Sequence, residues 1–252
     1  MKMTRKIIPA IVMLLVSAIM LSTASCAWFA QNNTVTASGM NVKVQSTASF
    51  LQINNQATDH ATDNTKKFSD SAVAANSATV TLDLVHATIE DDGSISWYTA
   101  QGLTPGASTI KPGTQQDVTI ADDATTSDYT RIDRFYVRMS EGSVSAMEDL
   151  TVGNVTVGNV ENSLKNALRV LVVGANGAQI WKYDGSKMVR DADDNGQNVI
   201  LETVPTFSQT ASEIVVYTYF DGEDAVAFTD NTENITTTLS VTVSFTQYVS
   251  TP

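Results

Sequence analysis

The sequence predicts an all-β fold: a single antiparallel β-sandwich of jelly-roll type with long loops and one or two short helices, preceded by an N-terminal signal helix. Three observations carry this. Thr, Val and Ser are among the commonest residues and charged residues make up only 17% of the chain, which suits strands more than helices. Apolar–polar alternation, the period of a half-buried strand, recurs from end to end. Clusters of Gly, Pro, Asn and Asp punctuate it, and about ten short strands divided in this way point to a sandwich.

The chain opens with a basic tip (Lys2, Arg5, Lys6), an apolar run from Ile7 to Leu21 and small residues from Ser22 to Ala27. That order predicts a secretory signal over 1–27, leaving 28–252 as one β-sandwich domain. Cleavage is expected between Ala27 and Trp28, since Ser25-Cys26-Ala27 fits the small-x-small rule. Thr23-Ala24-Ser25 fits it too and would leave Cys26 first. Thr23 to Cys26 is also a poor lipobox, with Thr where Leu is preferred. An uncleaved anchor is disfavoured, because the apolar run is short of the roughly 20 residues of a membrane span.

The remaining elements follow in order. A strand is expected over Thr34 to Gln45, with Val35 and Ala37 on one face and Met40, Val42 and Val44 on the other parity. The switch falls at Ser38-Gly39, as at a β-bulge. Phe50, Leu51 and Ile53 extend this edge, and 55–77 reads mainly as loop. Val80, Leu82, Leu84 and His86 define one face of the next strand. The turn at Glu90 to Gly93 leads to its hairpin partner at Ile95 to Tyr98. Residues 102–128 form a long excursion with one short strand at Val118 to Ile120. Phe135, Val137 and Met139 mark a half-buried strand. Ala167 to Val173 is apolar on both parities, as in a strand buried on both faces. Strands follow at Gln179 to Tyr183, Val199 to Val204, Ile214 to Phe220 and Leu239 to Thr246.

Ala27-Trp28-Phe29 after the apolar run, then Asn33-Thr34-Val35-Thr36-Ala37-Ser38-Gly39-Met40, resembles the start of the camelysin and TasA-type family of biofilm-fibre subunits of Gram-positive bacteria. The turn Phe220-Asp221-Gly222-Glu223-Asp224 and the final alternating strand are similar to the end of many such chains. The likeness covers about the first 45 and last 40 residues. It implies a jelly-roll domain exported through a signal removed just before the aromatic pair.

Candidate chemistry is sparse. Asp191-Ala192-Asp193-Asp194-Asn195-Gly196 followed by Glu202 satisfies D-x-[DN]-x-[DN]-G-x5-E. Asp191, Asp193, Asn195 and Glu202 are therefore candidate Ca²⁺ ligands, with short oxygen donors converging and Glu202 closing the shell. The competing reading is a polar hairpin turn between Lys187-Met188-Val189 and the strand from Val199. No other cofactor is expected. The two histidines, His60 and His86, cannot supply an H-E-x-x-H site, and no G-x-S-x-G, P-loop or Cys-His pair occurs. The chain is not expected to be an enzyme. Trp97, Tyr98 and Trp181 are expected in the core or in cross-strand pairs, with sugar stacking as the alternative.

The net charge of -12 disfavours nucleic acid and anionic membrane surfaces. Contact with a membrane is expected only through the signal segment before cleavage. The one cysteine, Cys26, lies at the signal boundary, so no disulfide braces the mature domain. These features favour a secreted surface or matrix protein, a fibre or pilus-like subunit whose partners are copies of itself or related surface proteins. Trp28, Phe29, Val35 and Ala37 are the candidate anchors of an assembly strand. The alternative is a monomeric, ligand- or carbohydrate-binding module, lipid-anchored through Cys26.

Overall fold

The computed structural model describes residues 35–38, 50–59, 67–70, 72–74, 85–100, 115–121, 129–143, 145–158, 165–191, 194–222 and 240–249. Within the compact unit 33–252 these residues form three antiparallel sheets. Among them, helical geometry is confined to Lys165, and no helix is long and apolar enough to cross a membrane. The predicted signal helix, and with it Ala27, Trp28 and Phe29, lies outside the described residues.

The chain lays down β1 (Val35–Ser38), β2 (Leu51–Asn54), β3 (His86–Ile89), β4 (Ile95–Ala100), β5 (Gln115–Val118), β6 (Thr130–Met139) and β7 (Met147–Gly158). It continues with β8 (Leu168–Val173), β9 (Ala178–Tyr183), β10 (Met188–Arg190), β11 (Leu201–Val204), β12 (Ser212–Phe220) and β13 (Ser240–Gln247). One sheet has the order β1-β13-β7-β11, a second β10-β9-β8-β12-β6-β2, and a third β3-β4-β5.

Two apolar cores explain why these strands stack. The larger fills the space between the first two sheets. Leu51, Phe135, Val137, Val170, Val172, Ile214 and Val216 of the six-stranded sheet meet Leu150, Val155, Leu201, Val241, Val243 and Phe245 of the four-stranded one. The smaller lies on the other side of the six-stranded sheet. There Ile132, Leu171, Ile180, Val215, Tyr217 and Tyr219 pack under Ala87, Ile89 and Trp97 of the small sheet. The six-stranded sheet is thus covered on both faces. This is why β8 and β12 are apolar on both parities: alternate side chains of one strand serve different cores.

Several expectations hold. The turn at Glu90 to Gly93 closes the β3–β4 hairpin, with Gly93 N–H donating to Glu90 O at 2.9 Å and Gly93 at φ 83°. β13 buries Val241, Val243 and Phe245 and shows its hydroxyl residues to the other face. Others are corrected. β2 does not extend the edge of β1. It pairs with β6 at the margin of the six-stranded sheet, whereas β1 pairs with β13. The inward parity in β3 belongs to Val85, Ala87 and Ile89 rather than His86, because a second core lies beneath this strand. The phase switch at Gly39 lies outside the described residues.

Candidate functional site

The stretch 190–202 is not a hairpin turn. β10 pairs with β9 and β11 with β7, so the segment carries the chain from the six-stranded to the four-stranded sheet. Its backbone is tied down along the way: Gln197 N–H donates to Ala178 O at 3.0 Å and Ile200 N–H to Leu150 O at 2.8 Å. Gly196 is required by close approach, since a Cβ there would lie 2.5 Å from Ala178 O. The buried Gln179 amide holds the crossing from inside, donating to the carbonyls of Gln197 at 2.9 Å and Asn198 at 2.8 Å.

The four proposed calcium ligands are placed as follows. Asp191 is paired with Lys182, Nζ to Oδ1 at 2.6 Å. Asn195 turns its NH₂ outward from the loop, donating to Ile89 O at 3.0 Å and Asp91 Oδ1 at 3.3 Å, and so pins the crossing to the β3–β4 turn. Glu202 is exposed on β11, and its backbone N–H donates to Asn176 Oδ1 at 3.0 Å. Asp193 lies outside the described residues. The sequence motif skipped Asp194, whose side chain is only 4% exposed. Asp194 accepts from Ile180 N–H at 2.7 Å and Gly196 N–H at 3.1 Å. Among the described residues no group of three or more His, Cys, Asp or Glu side chains is gathered as a metal would need.

A second polar cluster had no signature in the sequence. His86 Nδ1 lies 3.0 Å from Asp221 Oδ1, and Thr88 Oγ1 lies 3.3 Å from His86 Nε2. Arg169 Nη2 reaches Asp221 Oδ2 at 3.1 Å. Asp221, in the turn that carries the resemblance near the end of the chain, is buried. The cluster joins the start of β3 to the start of β8 and the end of β12, where Val85 N–H also donates to Phe220 O at 3.1 Å. Hydroxyl, imidazole and carboxylate fall in the order of a nucleophilic triad. Arg169 is paired to the same Asp221, so the cluster ties the small sheet to the six-stranded one.

The aromatic candidates separate. Trp97 and Trp181 belong to the cores. Trp97 packs its ring against Tyr219 edge-on at 5.2 Å and against Tyr217 at 5.5 Å. Trp97 and the half-buried Tyr98 both line a cleft of about 500 Å³ beside the small sheet, together with Ser94, Ser96, Asp117 and Tyr217.

Of the assembly-strand residues, Val35 and Ala37 lie on β1 at the edge of the four-stranded sheet, opposite Phe245 and Val243 of β13. Trp28 and Phe29 precede the described residues.

Comparison with protein-family models, with curated proteins and with solved structures returns no match.

Proposed function

We propose that the protein is an exported structural subunit of a cell-surface or matrix fibre, built by self-assembly. The observation that carries this reading is the position of β1. It is a four-residue strand at the margin of its sheet, held to the rest of the domain by the β1–β13 ladder. Such a strand can be exchanged between copies at low cost, because the ladder it makes with a neighbour's β13 repeats the one it makes with its own. Trp28 and Phe29, ahead of it, would anchor it.

We propose further that the sandwich is a jelly roll. Its support is the strand order β1-β13-β7-β11 in one sheet and β6-β12-β8-β9 within the other, with β2 and β10 at the margins. Export rests on the basic tip, apolar run and small-residue boundary, and non-enzymatic action on the absence of a catalytic motif. The likeness to camelysin and TasA-type subunits adds support at both ends of the chain.

The test is deletion of residues 28–37 from mature protein. Full-length protein is expected to form filaments by negative-stain microscopy, and the truncated form is expected to stay dispersed. Filaments from both would overturn the donated-strand mechanism. The alternative, a ligand- or carbohydrate-binding module, draws on the Tyr98 cleft. Titration with oligosaccharides that quenches tryptophan fluorescence in a dispersed monomer would favour it.

A further inference from the structure

The outward side of the four-stranded sheet is an unusual surface for so acidic a chain. β13 and residues 150–158 of β7 contain no Asp, Glu, Lys or Arg, although the whole chain carries a net charge of -12. The outward positions hold small hydroxyl, amide and glycine residues. Asn154 and Thr156 are exposed on β7, and Ser240, Thr242 and Thr246 are partly exposed on β13. The register sets them in rows, with Thr242 opposite Thr156 and Ser244 opposite Asn154. β1 pairs along the far side of β13, its backbone register setting Ser38 opposite Thr242 and Thr36 opposite Ser244. The charged margin begins at Asp149 and Glu148 on β7 and at Glu202 on β11.

The surface is also low in relief. A Cβ on Gly153 would meet Thr246 Cγ2 at 2.9 Å, and one on Gly158 would meet Ser240 Oγ at 2.7 Å. The β13 side chains therefore lie over glycine on β7 instead of standing against a neighbouring side chain.

We infer that this face, centred on Thr156 and Thr242, packs against the same face of a second copy of the chain. Two molecules of the same strong charge repel over most of their surfaces, and the approach is least opposed where both are uncharged. Flat rows of Ser, Thr and Asn interdigitate at the sheet-to-sheet spacing of about 10 Å without burying a charge. The contact is lateral. It joins neighbouring subunits side by side, whereas β1 exchange would join them end to end. The inference thus deepens the fibre reading, but it has its own readout.

The experiment uses the mature chain, residues 28–252, which contains no cysteine. Thr156→Glu places a negative charge at the centre of each face. It is expected to weaken self-association measured by sedimentation equilibrium at least tenfold, with the melting temperature unchanged. In the same background Thr156→Cys is expected to form disulfide-linked dimers under mild oxidation, and Ser208→Cys, in a remote exposed turn, is not. Equal cross-linking at both sites, or unaltered association of Thr156→Glu, overturns the inference. Single filaments without lateral pairs would overturn it and leave the fibre reading standing. Cross-linked pairs without filaments would do the reverse, and a monomer at every concentration would overturn both.

Discussion

Arg131 and Asp133 stand two residues apart on β6 and are joined by two hydrogen bonds, Nε to Oδ2 at 2.8 Å and Nη2 to Oδ1 at 3.1 Å. Both side chains are almost completely buried, at 2% and 3% exposure, on the parity that Phe135 and Val137 carry into the larger core. Such a pair adds little against an apolar replacement, yet losing one partner strands the other charge out of water. Asp133→Asn is expected to cost about 3–5 kcal/mol in urea unfolding. The double variant Arg131→Met/Asp133→Leu is expected to recover most of that loss. Equal losses in both variants would show that the pair's surroundings, not its charges, set the cost.

Stability toward acid has a separate origin. Desolvation pushes Asp59 up, but the Phe68 N–H and the Arg138 guanidinium outweigh it and hold its carboxyl below the ordinary value. The Phe68 N–H donates to Asp59 at 2.7 Å and Arg138 at 2.8 Å. A lowered carboxylate contributes stability that is present above its unfolded pKa, about 3.9, and lost as pH falls through the folded value. Burial raises Asp133 despite Arg131, so its contribution has the opposite sign and declines as pH rises above the unfolded value. Asp59→Asn is therefore expected to flatten the fall in melting temperature between about pH 5 and pH 3. A curve parallel to that of the unsubstituted protein would remove Asp59 from the account.

The turn between β8 and β9 is sterically closed. A Cβ on Gly174 would overlap Ile200 O, the oxygen to which Asn176 N–H donates at 3.0 Å. Gly174→Ala is expected to cost about 1–3 kcal/mol, the range for forced overpacking. It is also expected to increase amide exchange at Asn176. Neutral behaviour would mean that the crossing segment yields freely.

Calcium offers a fourth measurement. A ligand of the folded state at a hundred times its dissociation constant stabilises by about 2.7 kcal/mol. Asp191 and Asp194 already have basic or N–H partners, so millimolar calcium is expected to leave the melting curve where chelator leaves it. A rise in melting temperature that Asp193→Ala abolishes would establish the ion at this loop.

Legibility in the sequence followed the range of the interactions. β8, β12 and β13 could be read because burial imposes a period on neighbouring residues. The crossing at 191–200 could not, because Gly196 answers to the carbonyl of Ala178 rather than to a local bend, and the acidic spacing imitates a metal loop. His86 was misassigned for a similar reason. Its partner Asp221 stands 135 positions away, and the second core beneath β3 is contributed by strands that come later in the chain. A jelly roll is expected from strand number and from the resemblance at the chain ends, neither of which carries information on β2, β10 or the third sheet.

The small sheet also limits how this domain can be altered. It is inserted in the chain between β2 and β6 and looks like an appendage, yet it is the cover for Ile132, Leu171, Ile180, Val215, Tyr217 and Tyr219. Trimming residues 85–121 to a short loop would not yield a minimal sandwich. It would bare a broad aromatic and aliphatic sheet face of the kind that drives aggregation. A lineage could discard the insertion only by first turning one side of its central strands from apolar to polar. β8 and β12 would have to change at every second position while still filling the core on their other side.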